Sequence, residues 1–265
     1  MTDIQDFITQ ALKQAGQICL ESFGAIQSVS TKQDQSNIVT QTDIKIENFL
    51  ASQILRHFPQ DTIIGEETGF HGGINQFQWT VDPIDGTSNY ASGLPWFGII
   101  IARLENWLPI NAGIYLPSLD ELYLAAVNKI ATLNGKPIQV TGEAELKNVL
   151  VSYGIDYSSD EQKTNQELSI IRQLVKHSRN FRCTNSVYDD CAVATGKYGA
   201  FLNQACKIWD VTPAYLLIKQ AGGEYTDIGG QPLDFSCTPD NYLRNFTFLA
   251  ASKPMHQKII EILND

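Results

Sequence analysis

Two aspartates three positions apart are the residues of this sequence best suited to chemistry. Asp82 and Asp85 lie in the segment Trp79–Thr87, which reads WTVDPIDGT and follows an apolar stretch. The proline between them fixes φ and removes a backbone N–H, and Gly86 admits backbone shapes closed to other residues, so the chain must turn there. Such a turn can aim both carboxylates and the Ile84 carbonyl at one point. The two like charges then repel unless a cation lies between them, and oxygen donors alone suit Mg²⁺ or Mn²⁺ rather than Zn²⁺.

Two other groups of acids could join this turn. Glu66 and Glu67 follow a glycine at the end of a predicted strand, and Asp210 follows Trp209 at the start of a predicted helix. A glutamate pair alone is most often a solvated edge, and a lone aspartate at a helix start most often caps the helix. A second strand end that carries acids just upstream of Asp82 favours convergence. Asp210 becomes a metal ligand only if the fold brings it to the same place.

The elements that must position these acids follow from the periodicity of the apolar residues. The first half reads as two amphipathic helices, the second with Thr42 or Asp43 as its N-cap, and then as strands that end in a β-meander. The second half alternates strands and helices, and mixed elements of this kind indicate an α+β or layered α/β fold. The predicted helices are 4–19, 46–55, 168–175, 187–196, one opening at Trp209, and one from Pro254; the predicted strands are 62–64, 79–81, 97–102, 108–114, 121–127, 149–152, 200–203 and 246–250.

Composition narrows the class of protein. The net charge of -10 disfavours a duplex nucleic-acid partner, because phosphate backbones select clustered lysine and arginine. The chain contains no run of about 18 apolar residues that could span a membrane, and its first residues carry acids rather than a signal peptide. Five scattered cysteines without a C-x-x-C pair favour reduced thiols. A cytoplasmic protein without a nucleic-acid or membrane partner is therefore expected.

The acids and their order resemble the inositol monophosphatase family, which belongs to a magnesium-dependent, lithium-sensitive phosphatase superfamily. The string from Asp82 to Thr87 is highly specific, whereas the Glu66–Glu67 pair and Trp209–Asp210 are weak signals individually. The order and spacing fit along nearly the whole chain. Further matches are Thr40–Asp43, Lys32 eleven residues before Asp43, Asn134–Ile138, Ala194–Gly196 and Ala221–Gly223.

The resemblance implies a role for each matching position. It implies two or three Mg²⁺ ions, replaceable by Mn²⁺, with Thr87 and Asp43 orienting and deprotonating the attacking water together with Glu66. It implies that the N–H groups of Gly86 and Thr87 receive phosphate oxygens. The implied metal ligands are Glu66, Asp82 and the Ile84 carbonyl for one ion, Asp82, Asp85 and Asp210 for a second, and Glu66 with Glu67 for a third; the implied substrate ligands are Gly86, Thr87, Lys32, Ser186, Asn203 and Asp210.

Three departures from the family pattern lie around the leaving-group pocket and leave the metal ligands intact. The segment Thr184–Ser186 stands where the family often has Gly-Ser-Ala, and Thr212 stands where a small residue is usual. Asn203 replaces a glutamate that contacts the inositol ring; asparagine can still accept one hydrogen bond and can also donate. Asp189 and Asp190, near this pocket, could contact a polyol, but we interpret them as two acids on a helix surface.

The reaction is therefore better specified than the substrate. The leading hypothesis is hydrolysis of a small phosphorylated metabolite, an inositol monophosphate or a related polyol, sugar or amino-alcohol phosphate. A bisphosphate nucleotidase acting on 3′-phosphoadenosine 5′-phosphate, or a histidinol phosphatase, stays open. Fructose-1,6-bisphosphatase activity is disfavoured, because no Arg/Lys-rich site for a second phosphate is visible. From another class, a non-catalytic relative that binds a cation or phosphosugar and regulates a partner also stays open.

The resemblance also implies an architecture. It implies an alternating α/β/α/β/α sandwich, inhibition by Li⁺ and a homodimer. We expect residues 1–265 to form one phosphatase unit. Within it, residues 1–145 form a half that carries most metal ligands, and residues 146–265 form a half that carries Asp210 and the leaving-group pocket.

Overall fold

The computed structural model describes residues 3–25, 29–32, 38–73 and 75–264. Within them, helices and sheets alternate in five layers: a helix pair, a large sheet, a second helix pair, a smaller sheet and a third helix pair. Three clusters of buried apolar side chains lie between the successive layers. The expected α/β/α/β/α sandwich is thus confirmed. Residues 26–28, 33–37 and 74 lie outside the described residues.

The first layer consists of α1 (Ile4–Ser22) and α2 (Gln41–His57). α1 buries Phe7, Ile8 and Leu12 at the helical spacing that predicted it. The predicted cap of α2 was wrong: Thr40 is the N-cap, and Asp43 is the acid at N3 that closes a capping box by accepting the Thr40 N–H. The cap therefore fixes the backbone around Asp43.

The large sheet covers the inner side of this helix pair. Its strand order is β10-β9-β8-β7-β6-β5-β3-β4, with only β3 and β5 parallel, and the predicted meander forms its centre. A separate hairpin joins β1 and β2. The bounds of these strands are β1 Val29–Thr31, β2 Ile38–Thr40, β3 Thr62–Gly65, β4 Gly69–His71, β5 Phe77–Asp85, β6 Gly98–Glu105, β7 Leu108–Leu116, β8 Glu121–Ala126, β9 Thr132–Leu133 and β10 Lys136–Pro137.

The central layer lies between the two sheets. It contains α5 (Tyr188–Ala194) and α6 (Ile208–Gln220), and most residues of both helices are buried. α6 contacts β5, β6, β7 and β8 of the large sheet and also the smaller sheet. Because α6 touches both sheets, its first turn can bring a side chain to the end of β5. A short helix, α3 (Thr87–Ala91), follows β5 directly.

The smaller sheet has the order β12-β11-β13-β15-β14 and is covered by the last helix pair. β11 runs parallel to both its neighbours, and β15 runs antiparallel to both of its own. The bounds are β11 Leu150–Gly154, β12 Asn180–Arg182, β13 Tyr198–Cys206, β14 Gly223–Thr226, β15 Phe246–Ser252, α4 Glu161–His177 and α7 Lys253–Asn264, with 3₁₀ turns at Pro117–Leu119 and Leu146–Asn148.

The two sheets fall on either side of residue 145, where we expected the chain to divide into halves. The apolar cluster around α6 draws side chains from both halves. The division at residue 145 therefore stays a prediction. No helix in the described ranges is both long and apolar enough to cross a membrane.

Candidate active site

A β-bulge near the end of β5 brings Asp82 and Asp85 to one side. Asp82 lies opposite Ile100 and Asp85 opposite Gly98, so β5 advances three residues where β6 advances two. In a regular strand, side chains an odd number of positions apart point to opposite faces. The extra residue corrects this parity, and both aspartates line one cavity of about 320 Å³.

Asp210 reaches the same cavity from the first turn of α6. One carboxylate oxygen each of Asp82, Asp85 and Asp210 lies within 4.8 Å of the others. Burial and the neighbouring acids raise the pKa of all three groups, for Asp210 to about 7. The fold therefore brings Asp210 to Asp82 and Asp85, which was the condition for its role as a metal ligand. Three carboxylates this close together form an oxygen-only donor set suited to a hard divalent cation.

Each of the three carboxylates is held by a backbone N–H through one of its oxygens. The Ile84 N–H donates to Asp82 over 2.9 Å, and the Lys207 N–H donates to Asp210 over 2.7 Å. The Val187 N–H, at the start of α5, donates to Asp85. The second oxygen of each carboxylate accepts no hydrogen bond from these groups, so the acids are fixed in place and can still bind a cation.

Glu66 lines the cavity, whereas Glu67 and Lys32 do not. The Lys32 Nζ instead lies 2.8 Å from a Glu66 oxygen and 2.5 Å from a Glu67 oxygen. Burial and the nearby Glu66 charge raise the pKa of Glu67 to about 7 despite this ion pair. The ammonium group of Lys32 thus holds both glutamates, and direct contact of Lys32 or Glu67 with a ligand stays a prediction.

Glu47 is a positioning residue that the sequence reading missed. It is fully buried on α2, and its carboxylate accepts hydrogen bonds from the Glu67 N–H over 2.8 Å and the Thr68 N–H over 2.7 Å. It thereby fixes the turn that carries Glu66. The available signal was its position: an acid four residues after Asp43, on the face of α2 that buries apolar residues.

Gly65 leaves the space that Glu47 needs. A Cβ atom at this position would lie 2.2 Å from Glu47 Oε1 and 2.6 Å from its Cδ. We expect Gly65→Ala to destabilise the protein by about 1–3 kcal/mol, because the buried carboxylate must shift away from the turn. Thermal melting of the variant measures this. Gly142→Ala is the control, since nothing lies within 4 Å of the added Cβ; equal melting temperatures for the two variants would contradict the expectation.

Thr87 connects the metal ligands to Asp43. Its Oγ1 lies 2.9 Å from the Ile84 carbonyl oxygen and 3.3 Å from Asp43 Oδ1. The other Asp43 oxygen accepts hydrogen bonds from the Thr40 N–H and hydroxyl. Burial raises the pKa of Asp43 to about 6 in spite of these bonds. Asp43 does not line the cavity, so it can reach the cavity only through Thr87.

Two features of the backbone at Gly86 disfavour any other residue there. Its φ of +87° lies in the left-handed region, which strains other residues. A Cβ atom would also lie 2.8 Å from the Trp96 carbonyl oxygen and 2.9 Å from Ser186 Cβ. The close approach of Gly86 and Ser186 brings Ser186 to the cavity wall, and its contact with a substrate stays a prediction.

Asn203 also lines the cavity, and its contact with a substrate stays a prediction. Its Oδ1 accepts a hydrogen bond from the Ala205 N–H over 2.9 Å, and its Nδ2 has no hydrogen-bond partner among the described residues. Asn203 can therefore offer a ligand its Nδ2 donors, whereas we expected its Oδ1 to remain available as an acceptor. A Cβ atom on Gly154 would lie 2.3 Å from this Nδ2, so the glycine makes room for the amide.

Two lysines line the cavity, Lys163 from α4 and Lys207 from the residue before α6. Lys207 is anchored by the Leu243 carbonyl and Asn245 Oδ1, each 2.6 Å from its Nζ. Burial lowers the pKa of Lys207, and the charge of Lys163 adds to this. The sequence showed no Arg/Lys-rich site for a second phosphate, and it did not reveal this pair because the two lysines are 44 positions apart.

The interpretation of Asp189 and Asp190 as surface acids was also wrong. Their exposed fractions are 0% and 5%, because α5 lies between the two sheets. Asp189 accepts a hydrogen bond from the Asn185 N–H, whereas Asp190 lines the cavity and its Oδ1 has no partner among the described residues. Burial raises the pKa of Asp189 to about 6 and that of Asp190 well above its usual range.

Comparison with known proteins gives a match along the chain. A model described as "Inositol monophosphatase family" matches residues 1–265. A relative named fructose-1,6-bisphosphatase/inositol-1-monophosphatase, from Aquifex aeolicus, is 30% identical over 93% of this chain and 90% of its own. A protein named putative Nus factor SuhB, from Neisseria meningitidis, is 29% identical over 96% of this chain and 95% of its own.

The fold is similar to that of solved structures. The IMPase of Thermotoga maritima superimposes with a TM-score of 0.85 and is 26% identical, over 98% of this chain and 96% of its own. The α/β/α/β/α layers are therefore shared with this solved structure.

Proposed function

Because the chain belongs to the inositol monophosphatase family, we propose that it hydrolyses a small phosphate monoester at the centre formed by Asp82, Asp85 and Asp210. The observation that carries this proposal is the convergence of three carboxylates from distant parts of the chain, with Glu66 on the same cavity wall. Acids crowded without counter-ions repel each other, so their arrangement suits a site whose charge is completed by cations.

The cations that fit this donor set are Mg²⁺ ions, two or three in number, with Mn²⁺ as a substitute. Glu66, Asp82 and the Ile84 carbonyl would hold one, and Asp82, Asp85 and Asp210 a second; Glu67 would help place a third. When bound, such ions neutralise the phosphate and lower the pKa of water.

The residues of the chain then supply positioning. The Thr87 hydroxyl would accept a hydrogen bond from the attacking water, and Asp43 would take the proton through that hydroxyl. The N–H groups of Gly86 and Thr87 would donate to phosphate oxygens, while Ser186 and the Asn203 amide face the leaving group. We extend the proposal to a cytoplasmic homodimer inhibited by Li⁺. Since a relative is named a putative Nus factor, the expected lack of a nucleic-acid partner stays a prediction.

Phosphate release from a panel of monoesters tests the proposal. The panel contains inositol monophosphates, sugar phosphates, histidinol phosphate and 3′-phosphoadenosine 5′-phosphate, each with Mg²⁺ and with EDTA. We expect Mg²⁺-dependent release from at least one compound. Release from none would favour the non-catalytic binding module, and release that EDTA leaves unchanged would remove the metal from the proposal.

A substrate with a second anionic group is a second candidate, favoured by Lys163 and Lys207 on the cavity wall. Fructose 1,6-bisphosphate and fructose 1-phosphate form a matched pair that differs in one phosphate. We expect Lys163→Gln to lower kcat/KM for the bisphosphate about 5–10-fold, the effect of one lost charge-assisted hydrogen bond, and to leave the monophosphate unchanged. Asp156 and Glu167 also lie near Lys163, so an equal change for both substrates would assign the lysine to local structure.

A further inference from the structure

We propose that the hydroxyl pair Thr80–Thr212 is a positioning device that holds α6 against β5 and thereby sets the separation of Asp82 and Asp210. The inference rests on the proposed function, because it assigns these residues to the assembly of the metal centre. Neither threonine lines the cavity, so neither touches a substrate.

The pair is a direct contact in a dry part of the molecule. Thr80 Oγ1 lies 2.8 Å from Thr212 Oγ1, and both residues are fully buried. Thr212 Oγ1 also lies 2.9 Å from the Ile208 carbonyl oxygen, one helical turn earlier. A hydroxyl has one proton, so Thr212 donates to Ile208 and Thr80 must donate to Thr212. Both donors are thus satisfied, and the direction of the bond between the two elements is fixed.

The Thr80–Thr212 pair lies close to both Asp82 and Asp210 along their elements. Thr80 precedes Asp82 by two positions, so the two side chains share a face of β5. Thr212 follows Asp210 by two positions, which is about 3 Å along the axis of α6. The link therefore lies within about one helical turn of one ligand and two strand residues of the other. A slide of α6 along β5 would break it while moving Asp210 away from Asp82.

The physical need for such a link comes from the charges. The carboxylates of Asp82 and Asp210 lie within 4.8 Å of each other and repel when no cation lies between them. Apolar packing between α6 and β5 is non-directional. A hydrogen bond has a preferred length and angle, so it can fix the position of the helix against this repulsion. Two buried hydroxyls are otherwise a costly choice for an interface that valine and alanine could fill.

The test compares three variants in Mg²⁺ binding and in melting of the metal-free protein. Thr212→Val removes the acceptor at nearly constant shape, Thr212→Ser retains the hydroxyl, and the double variant Thr80→Val/Thr212→Val removes the pair without leaving an unpaired donor. By calorimetric titration we expect the Mg²⁺ Kd to rise about 5–10-fold for Thr212→Val and for the double variant. We expect the Kd of Thr212→Ser to stay within about twofold of wild type, since it keeps the bond.

Melting separates positioning from structure. The double variant should melt at or above the wild-type temperature, because two buried polar groups are lost together. A double variant that binds Mg²⁺ as tightly as wild type would overturn the inference and reduce the pair to packing. In that case the proposed function still stands, provided that wild type binds Mg²⁺ and releases phosphate. A wild type that binds no Mg²⁺ would overturn both.

Discussion

Asp85→Asn lowers kcat for Mg²⁺-dependent phosphate release by about 10³-fold and leaves the protein folded. Asp85 is one of three carboxylates within 4.8 Å of each other, and the Val187 N–H holds one of its oxygens. The amide can keep that bond, but it removes one negative charge and presents N–H donors to the cation. A loss of about 4 kcal/mol of transition-state stabilisation corresponds to the expected factor. Initial rates at saturating substrate measure it.

The metal-free melting temperature of the same variant is expected to equal or exceed that of wild type. Burial and then the charge of Asp210 are the main causes of the raised pKa of Asp85. The substitution relieves both effects, because the amide carries no charge. Asp240→Asn, an exposed acid outside the site, is the matched control and should change neither rate nor melting. A loss of activity that parallels a loss of melting temperature would show that Asp85 acts through the fold and not through a cation.

The second large effect is a stabilisation by Mg²⁺ that grows with pH. In the metal-free protein, burial raises the pKa of Asp43 to about 6 and the pKa of Glu67 and Asp210 to about 7. The unfolded-state pKa of such an acid is about 4. When its pKa is higher in the folded state, its contribution to stability is fully present at pH values below the unfolded-state pKa. This stability is lost as pH rises through the folded pKa. The metal-free melting temperature should therefore fall between pH 5 and pH 8.

Saturating Mg²⁺ should reverse this trend, because the cation binds the ionised carboxylates. At a concentration of 100 times Kd, one site contributes about 2.7 kcal/mol. We expect the rise in melting temperature on adding Mg²⁺ to be several degrees at pH 8 and small at pH 5, and to shrink at pH 8 in Asp85→Asn. Scanning fluorimetry with Mg²⁺ or EDTA measures both. An Mg²⁺ shift that is the same at both pH values would contradict the electrostatic coupling.

Features that depend on local chain chemistry were predictable from the sequence. The turn after Val81 combines a strand end, a proline and Gly86 with two acids, and each residue type restricts the backbone in a known way. The apolar spacing of α1, the central meander and the layered fold followed from periodicity and resemblance. The placement of Asp210 could be stated only as a condition, since it depends on how α6 packs between the sheets.

Features that depend on tertiary packing were not predictable. Burial of Asp190 follows from the location of α5 between two sheets, which the spacing of its apolar residues does not reveal. Lys163 and Lys207 line one cavity only because α4 and α6 both begin beside it. The sequence does not distinguish Glu47 from other acids on helices. The hydrogen bond of Thr212 to Thr80 joins residues 132 positions apart. The bulge that aligns Asp82 with Asp85 could not be predicted, because it is defined by the register between β5 and β6.

Diffraction from crystals soaked in Mn²⁺ tests the metal centre most directly. The anomalous signal of Mn²⁺ locates the ion independently of any assumption about activity. We predict an anomalous peak between Asp82, Asp85 and Asp210, about 2.1–2.3 Å from one oxygen of each, in the range of hard divalent cations. A peak elsewhere with the three carboxylates turned apart, or no peak at Mn²⁺ concentrations that support phosphate release, would contradict the metal centre.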